Sequence, residues 1–273
     1  MISKSISESF RFALSVKRIL PYLILDLIVA YILIGFSRDF IGMIRTGSIP
    51  VLLLSMGIFI PVFIILGLAY LWVNGAIIDQ AKYFPRSKPL LKSFEYSTSR
   101  FFTLLCAFVL YTIIIGIVAK PPYLGPLFAF VGMLIFFFIY PVIILEKKGC
   151  IQAFERSFKT FARHPLETFV TWLLATIIGF IIVGIFTLPL IFYVLGSIIE
   201  TLPLTPFGTE GVLPRAAIST VISTVIQRVI DSVYSPFFIP YLVIFLVALA
   251  FNRVFHLGTQ ARLYMHSRKI ESV

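Results

Sequence analysis

The sequence predicts an all-α fold: a polytopic transmembrane bundle of six spans, built as three repeats of an amphipathic leading helix plus a helical hairpin. One extra amphipathic helix lies on the outer side. Three observations predict it. Hydrophobic residues make up 59% of the 273 positions and charged residues only 13%, far from the roughly 45–50% and 25% of soluble domains. Six apolar runs reach the about 20 residues a helix needs to cross a hydrocarbon core. The cationic residues fall almost entirely on one side of those runs. This composition excludes a water-soluble enzyme and a disordered chain. The net charge of +11 belongs to a membrane protein facing anionic headgroups, so nucleic acid is excluded as a partner.

The runs lie near Ile19–Phe36, Val51–Ile78, Phe101–Ala119, Tyr123–Leu145, Leu166–Leu195 and Pro236–Leu257. They lack period-two alternation and are too long for barrel strands, so helices are expected. Of the 23 Lys and Arg, 18 fall at the N-terminus, in the loops after spans two and four, and at the C-terminal end. The other side holds Arg38, Arg45, Lys120, Arg215 and Arg228. The positive-inside rule then places both termini in the cytoplasm and the chain in the cell membrane. The N-terminal stretch Ser5–Leu20 alternates apolar and basic residues, unlike a cleavable signal.

The chain reads as a single integral membrane domain, 1–273, with units of approximately 1–84, 85–148 and 149–273. Ser9-Phe10-Arg11-Phe12-Ala13, Ser93-Phe94-Glu95-Tyr96-Ser97 and Ala153-Phe154-Glu155-Arg156-Ser157 share a pattern of small residue, Phe, two variable positions and a small residue. Each precedes an odd-numbered span. In the third unit Ile151, Phe154, Phe158 and Phe161 share one helical face, with Gln152, Glu155, Arg156, Lys159 and Arg163 opposite. Such a helix lies along the interface until Pro165 breaks it, and Pro21 is expected to do the same in the first unit. The middle unit lacks that proline. These elbows either couple a partner to the spans or, the favoured reading, anchor the hairpins.

Pro141-Val-Ile-Ile-Leu-Glu146-Lys-Lys-Gly149, followed by Ala153-Phe-Glu-Arg-Ser157-Phe158 and a new span, resembles uncharacterised six-span bacterial and archaeal membrane proteins. These are related to the membrane domain fused to some glycerophosphodiesterases. In that family an acidic residue and Gly close span four, and an Ala-x-x-Arg-Ser-aromatic helix opens the next. The resemblance implies a fold and a compartment and supplies no catalytic residues. No phosphodiesterase domain is expected in this chain.

An ionisable group inside a span is a default functional candidate. Asp26 lies about 7 Å above Pro21 at 1.5 Å per residue, at a depth similar to Asn252 and Arg253 of span six. An Asp26–Arg253 pair is expected between the first and last spans, either as a gate or proton-linked switch or as a static clasp, the clasp being favoured. Asn74 and Glu167 are weaker polar candidates: an interhelical hydrogen bond accounts for the first, the helix dipole for the second. Tyr22, Tyr123, Tyr234 and Tyr241 are expected in an interfacial belt.

Before span six, Thr201–Pro214 is rich in Pro and Gly. Arg215–Val233 then carries an apolar stripe that includes Ile218, Val221, Ile222, Val225 and Val229. This outer amphipathic helix reads as a lid, as a dimer seam, or as an interfacial helix with no further role.

Catalytic patterns are absent. His164, His256 and His266 show no ligand spacing, and no phosphate loop or nucleophile elbow occurs. No enzyme activity, cofactor or metal is expected. Cys106 lies in an apolar run and Cys150 beside a basic loop, so no disulfide is expected. Two functions fit: a permease-like protein handling lipid or another hydrophobic solute, or a non-catalytic accessory or scaffold subunit of a membrane complex. The partners expected are membrane lipids and a second copy or another membrane protein.

Overall fold

The computed structural model describes residues 2–46, 49–86, 88–199, 224–225, 227–229 and 231–271, and the side chains of these except 38–46, 49–56, 58 and 269–271. Among the described residues the chain is all-α, and six helical spans, one of them made of two successive helices, are long and apolar enough to cross a membrane. The helices are α1 (Ile2–Ala13), α2 (Val16–Thr46), α3 (Ile49–Tyr83), α4 (Leu90–Val118), α5 (Gly125–Ile135), α6 (Ile139–Glu146), α7 (Cys150–Arg163), α8 (Pro165–Ile199) and α9 (Phe238–Glu271). Val225 and Val229 are helical, whereas Ile218, Val221 and Ile222 lie outside the described residues.

The second span of each hairpin is the inner one. In α3, in α5 with α6, and in α9, 33%, 44% and 33% of the most apolar stretch is buried. In α2, α4 and α8 the shares are 11%, 11% and 6%. The first spans therefore form an outer layer with Ile, Leu and Phe side chains exposed, such as Phe102 and Phe180. The inner helices α3, α6 and α9 touch one another, and their facing residues Ile77, Ile78, Val142, Ile143, Val254 and Phe255 form the core.

Each leading segment docks on the second span of the preceding hairpin, and α1 closes the ring against α9. Ser9 of α1 and Ser97 of α4 lie at two of these close approaches. A Cβ on Gly258 of α9 would lie 2.9 Å from the Phe12 ring and 3.5 Å from the Ser9 Cβ. A Cβ on Gly75 of α3 would lie 2.3 Å from Ser97 Oγ, and that hydroxyl donates to Trp72 O at 2.7 Å. Small residues at such contacts let backbones approach, which drives helix association where lipid removes the hydrophobic term.

Two expectations about helix breaks are corrected. Pro21 does not make an elbow: it sits inside α2, and the chain turns at Leu14-Ser15 instead. Ser15 O accepts from Arg18 N at 2.9 Å and Ile19 N at 3.3 Å, which starts α2 five residues before Pro21, so the proline removes one backbone bond within the second turn without ending the helix. Arg18 fixes this elbow, donating to Phe12 O at 2.8 Å and to Gln80 Oε1 at 3.1 Å. Pro165, in contrast, opens α8 as expected of a helix-starting proline. In the middle unit α4 runs unbroken from leading segment into span.

Nor is span four one helix over 123–145. It breaks at Phe136–Phe138 between α5 and α6. Ser157 of α7, fully buried, enters the gap: its Oγ donates to Ile135 O at 2.8 Å and accepts from Phe138 N at 3.2 Å. A side chain inserted into the backbone ladder is a recognised cause of a break. Ser157→Ala removes both bonds without adding bulk and leaves a backbone N–H and C=O unpaired. A loss of about 2–3 kcal/mol is expected, read as a lower midpoint in denaturing-detergent unfolding, with Ser157→Thr closer to wild type.

Candidate functional site

Two groups of polar side chains link the helices of the described residues. The deeper group joins α2, α3 and α9. Asp26 is 4% exposed, and its Oδ1 accepts from Tyr70 Oη at 2.5 Å and pairs with Arg253 Nη1. The Arg253 guanidinium also lies over the Tyr70 ring, 4.6 Å from its centroid. One turn below, Tyr22 stacks near Tyr70 at 6.3 Å and donates to Asn74 Oδ1 at 2.5 Å. Tyr22 is therefore fully buried and is no part of an interfacial belt; the hydroxyl finds an amide instead of water. Tyr123 is 98% exposed, Tyr234 donates to Ile34 O at 2.7 Å, and Tyr241 stacks on Tyr193 at 5.1 Å.

The Asp26–Tyr70–Arg253 group forms one end of a cavity of about 530 Å³. Its walls are apolar: Leu33 and Ile34 of α2, Phe63 and Gly67 of α3, Phe238 and Leu246 of α9, among others. From Phe238 to Arg253 along α9 is about 22 Å at 1.5 Å per residue. Two features leave the polar end uncommitted. Asp26 Oδ2 is buried without a hydrogen-bond partner, and the Arg253 side chain is 41% exposed. Such an end can accept a hydroxyl or amine from a solute and donate to its carbonyl, carboxylate or phosphate oxygen.

The other sequence candidates do not join this site. Asn252 points to α8, where a Cβ on Gly179 would lie 2.2 Å from its Oδ1. Glu167 meets His164 Nδ1 at 3.1 Å at the start of α8. Nothing in the sequence marks Tyr70: it lies about three helical turns from Phe59 in an apolar run, and only α2 packing against α3 brings its hydroxyl to Asp26.

The second polar level is the basic end, where both termini meet: Ser5 Oγ lies 2.9 Å from His266 Nδ1. Glu146 of α6 is the hub. Its carboxylate accepts from Tyr264 Oη, pairs with Arg268 Nε at 3.1 Å and approaches Arg156 Nε at 3.5 Å. Thus Glu146 and Arg156 of the Pro141–Phe158 pattern face each other, tying α6 and α7 to α9. Phe84 sits between Arg18 and Arg262, 5.4 and 5.2 Å from its ring, and its carbonyl accepts from Arg262 Nη2 at 2.7 Å. Lys88 and Asp79 close the turn after α3.

Cys106 and Cys150, expected in unlike surroundings, meet between α4 and α7 as free thiols. Burial and a hydrogen bond with Cys106 push the Cys150 thiol up from its ordinary value near 9 to about 12. Because the folded value is raised, its stabilising contribution is full below pH 9 and lost as pH climbs toward 12. At pH 8 Cys150 is expected to alkylate at least tenfold more slowly than an unhindered thiol, with labelling by iodoacetamide and peptide mapping as the readout.

Among the described residues no three His, Cys, Asp or Glu side chains cluster as metal ligands would. Comparison with family models, curated proteins and solved structures returns no match. Among the described residues, six all-α spans long and apolar enough to cross a membrane make this a polytopic membrane protein by length, composition and helical architecture.

Proposed function

We propose that this is a permease-like or lipid-handling protein of the cell membrane that takes a hydrophobic solute with one polar group into the cavity between α2, α3 and α9. The observation that carries this reading is a long apolar cavity with its polar groups confined to one end. A solute already dissolved in lipid gains little from an apolar wall, because acyl chains are as apolar as leucine. Selectivity must therefore come from Asp26, Tyr70 and Arg253, and the solute must carry something for them to bind. The positive-inside rule supports cytoplasmic termini, so the polar end lies in the inner half of the bilayer. The chain acts without catalysis in this reading, and its likeness to the membrane domain of some glycerophosphodiesterases is one of architecture.

Native mass spectrometry of protein extracted from its own membrane tests this. Wild type is expected to retain an amphiphile at one per chain. Gly67→Trp is expected to lose it with the fold intact, since a Cβ at Gly67 has nothing within 4 Å and the ring would fill the cavity. Equal retention by both would sink the proposal. A stoichiometric second protein with an empty cavity would move the assignment to an accessory or scaffold subunit.

A further inference from the structure

Nearer the basic end, past Arg253 on α9, lies a second and smaller cavity of about 160 Å³. It is partly open and lined mainly by aromatic rings, among them Tyr111 of α4, Phe136 at the break in span four, Tyr140 of α6 and Trp172 of α8, with His256 and Gln260 of α9. No Lys, Arg, Asp or Glu lines it, although this end of the protein is strongly basic. Gln260 is part of this lining, and its Oε1 is buried without a hydrogen-bond partner. An amide oxygen held out of water and unpaired has a cost that an occupant with a donor would remove.

We propose that this cavity binds a small organic cation, a quaternary ammonium carrying a short hydroxyl arm. Aromatic faces present the negative side of their quadrupole, and several of them around one space attract a methylated ammonium whose charge is spread over carbon. The hydroxyl arm donates to Gln260 Oε1. The space would hold about five waters at roughly 30 Å³ each, the scale of a trimethylammonium group and a two-carbon arm. The ligand comes either as a free cation or as the head of a choline lipid; the chemistry is shared. This site is independent of the larger cavity, and its failure would leave the reading of that cavity untouched.

The test uses Trp172 as reporter. The chain has two tryptophans, and Trp72→Phe leaves Trp172 alone in the cavity wall. Detergent-solubilised protein is titrated with choline, tetramethylammonium and 3,3-dimethylbutan-1-ol, the uncharged counterpart of choline. A saturable fluorescence change with choline is expected, and binding about tenfold weaker for the alcohol. Gln260→Leu is expected to abolish the advantage of choline over tetramethylammonium while tetramethylammonium still binds. Tyr140→Leu is expected to weaken both. Nanodiscs separate the sources: loss of the free-choline response in phosphatidylcholine discs, with its retention in phosphatidylglycerol discs, assigns the site to the lipid head, and retention in both assigns it to the free cation. Equal affinity for choline and the alcohol, or no saturable response in wild type, overturns the proposal.

Discussion

Arg253→Ala is expected to destabilise the bundle by about 3–5 kcal/mol, the largest effect of any single change in the spans. The asymmetry between partners sets this ranking. Asp26 is 4% exposed, and its carboxylate would be left buried with Tyr70 as its one remaining partner. Asp26→Ala should cost about 2 kcal/mol, because the Arg253 side chain is 41% exposed and can turn its charge into the cavity. The double variant should recover at least about 1 kcal/mol over Arg253→Ala alone, since no uncompensated carboxylate remains. Unfolding in mixed micelles of increasing denaturing-detergent fraction measures all three. A double variant no more stable than Arg253→Ala would mean that the two side chains do not stabilise each other. Asp26→Asn separates a clasp from a proton-linked switch: a clasp tolerates the neutral amide at all pH values, whereas a switch fixed in one state loses its pH response in solute uptake.

Glu146→Ala is expected to cost about 2–4 kcal/mol and to loosen the basic end specifically. The loss comes chiefly from Tyr264, which is fully buried and would keep a hydroxyl with no carboxylate to receive it. Arg268, whose side chain is 52% exposed, contributes little, so Arg268→Ala should cost under about 1 kcal/mol. Glu146→Gln keeps an acceptor for Tyr264 and should fall between wild type and alanine. Hydrogen exchange on α7 and the last turns of α9 reads the effect locally. Equal exchange in Glu146→Ala and wild type would show that α7 is held by Ser157 and its phenylalanines alone. The same contacts explain why an acidic residue at the end of span four is followed ten residues later by Arg156: the turn at Lys147–Gly149 folds α7 back, and the two charges meet.

Hydropathy carried the six spans because insertion into lipid depends on runs of apolar residues, a local property of the chain. Pairing was harder. Asp26 and Arg253 are legible as a pair because both are rare charges at similar depth in apolar runs, and Asn74 is legible as an interhelical hydrogen-bonding group, which Tyr22 satisfies; Tyr70 gives no such signal, being a tyrosine of ordinary kind whose partner is set by packing. The break in span four leaves no distinct mark in its own residues, a run of phenylalanines with no Pro or Gly, because its cause is Ser157 on another helix. Pro21 misled for a related reason: a proline's effect depends on how many turns of helix precede it, and Ser15 with Arg18 decided that.

By itself the sequence determined the solvent this protein lives in, the number of its crossings and the face that carries its cations, since each follows from transfer free energies summed along the chain. Only the tertiary structure decided which spans lie inside, which polar groups touch and where the two cavities fall. Those depend on the short approach of small residues between helices, a matter of ångströms between segments hundreds of residues apart, and apolar stretches of similar composition do not encode in themselves which of them will meet.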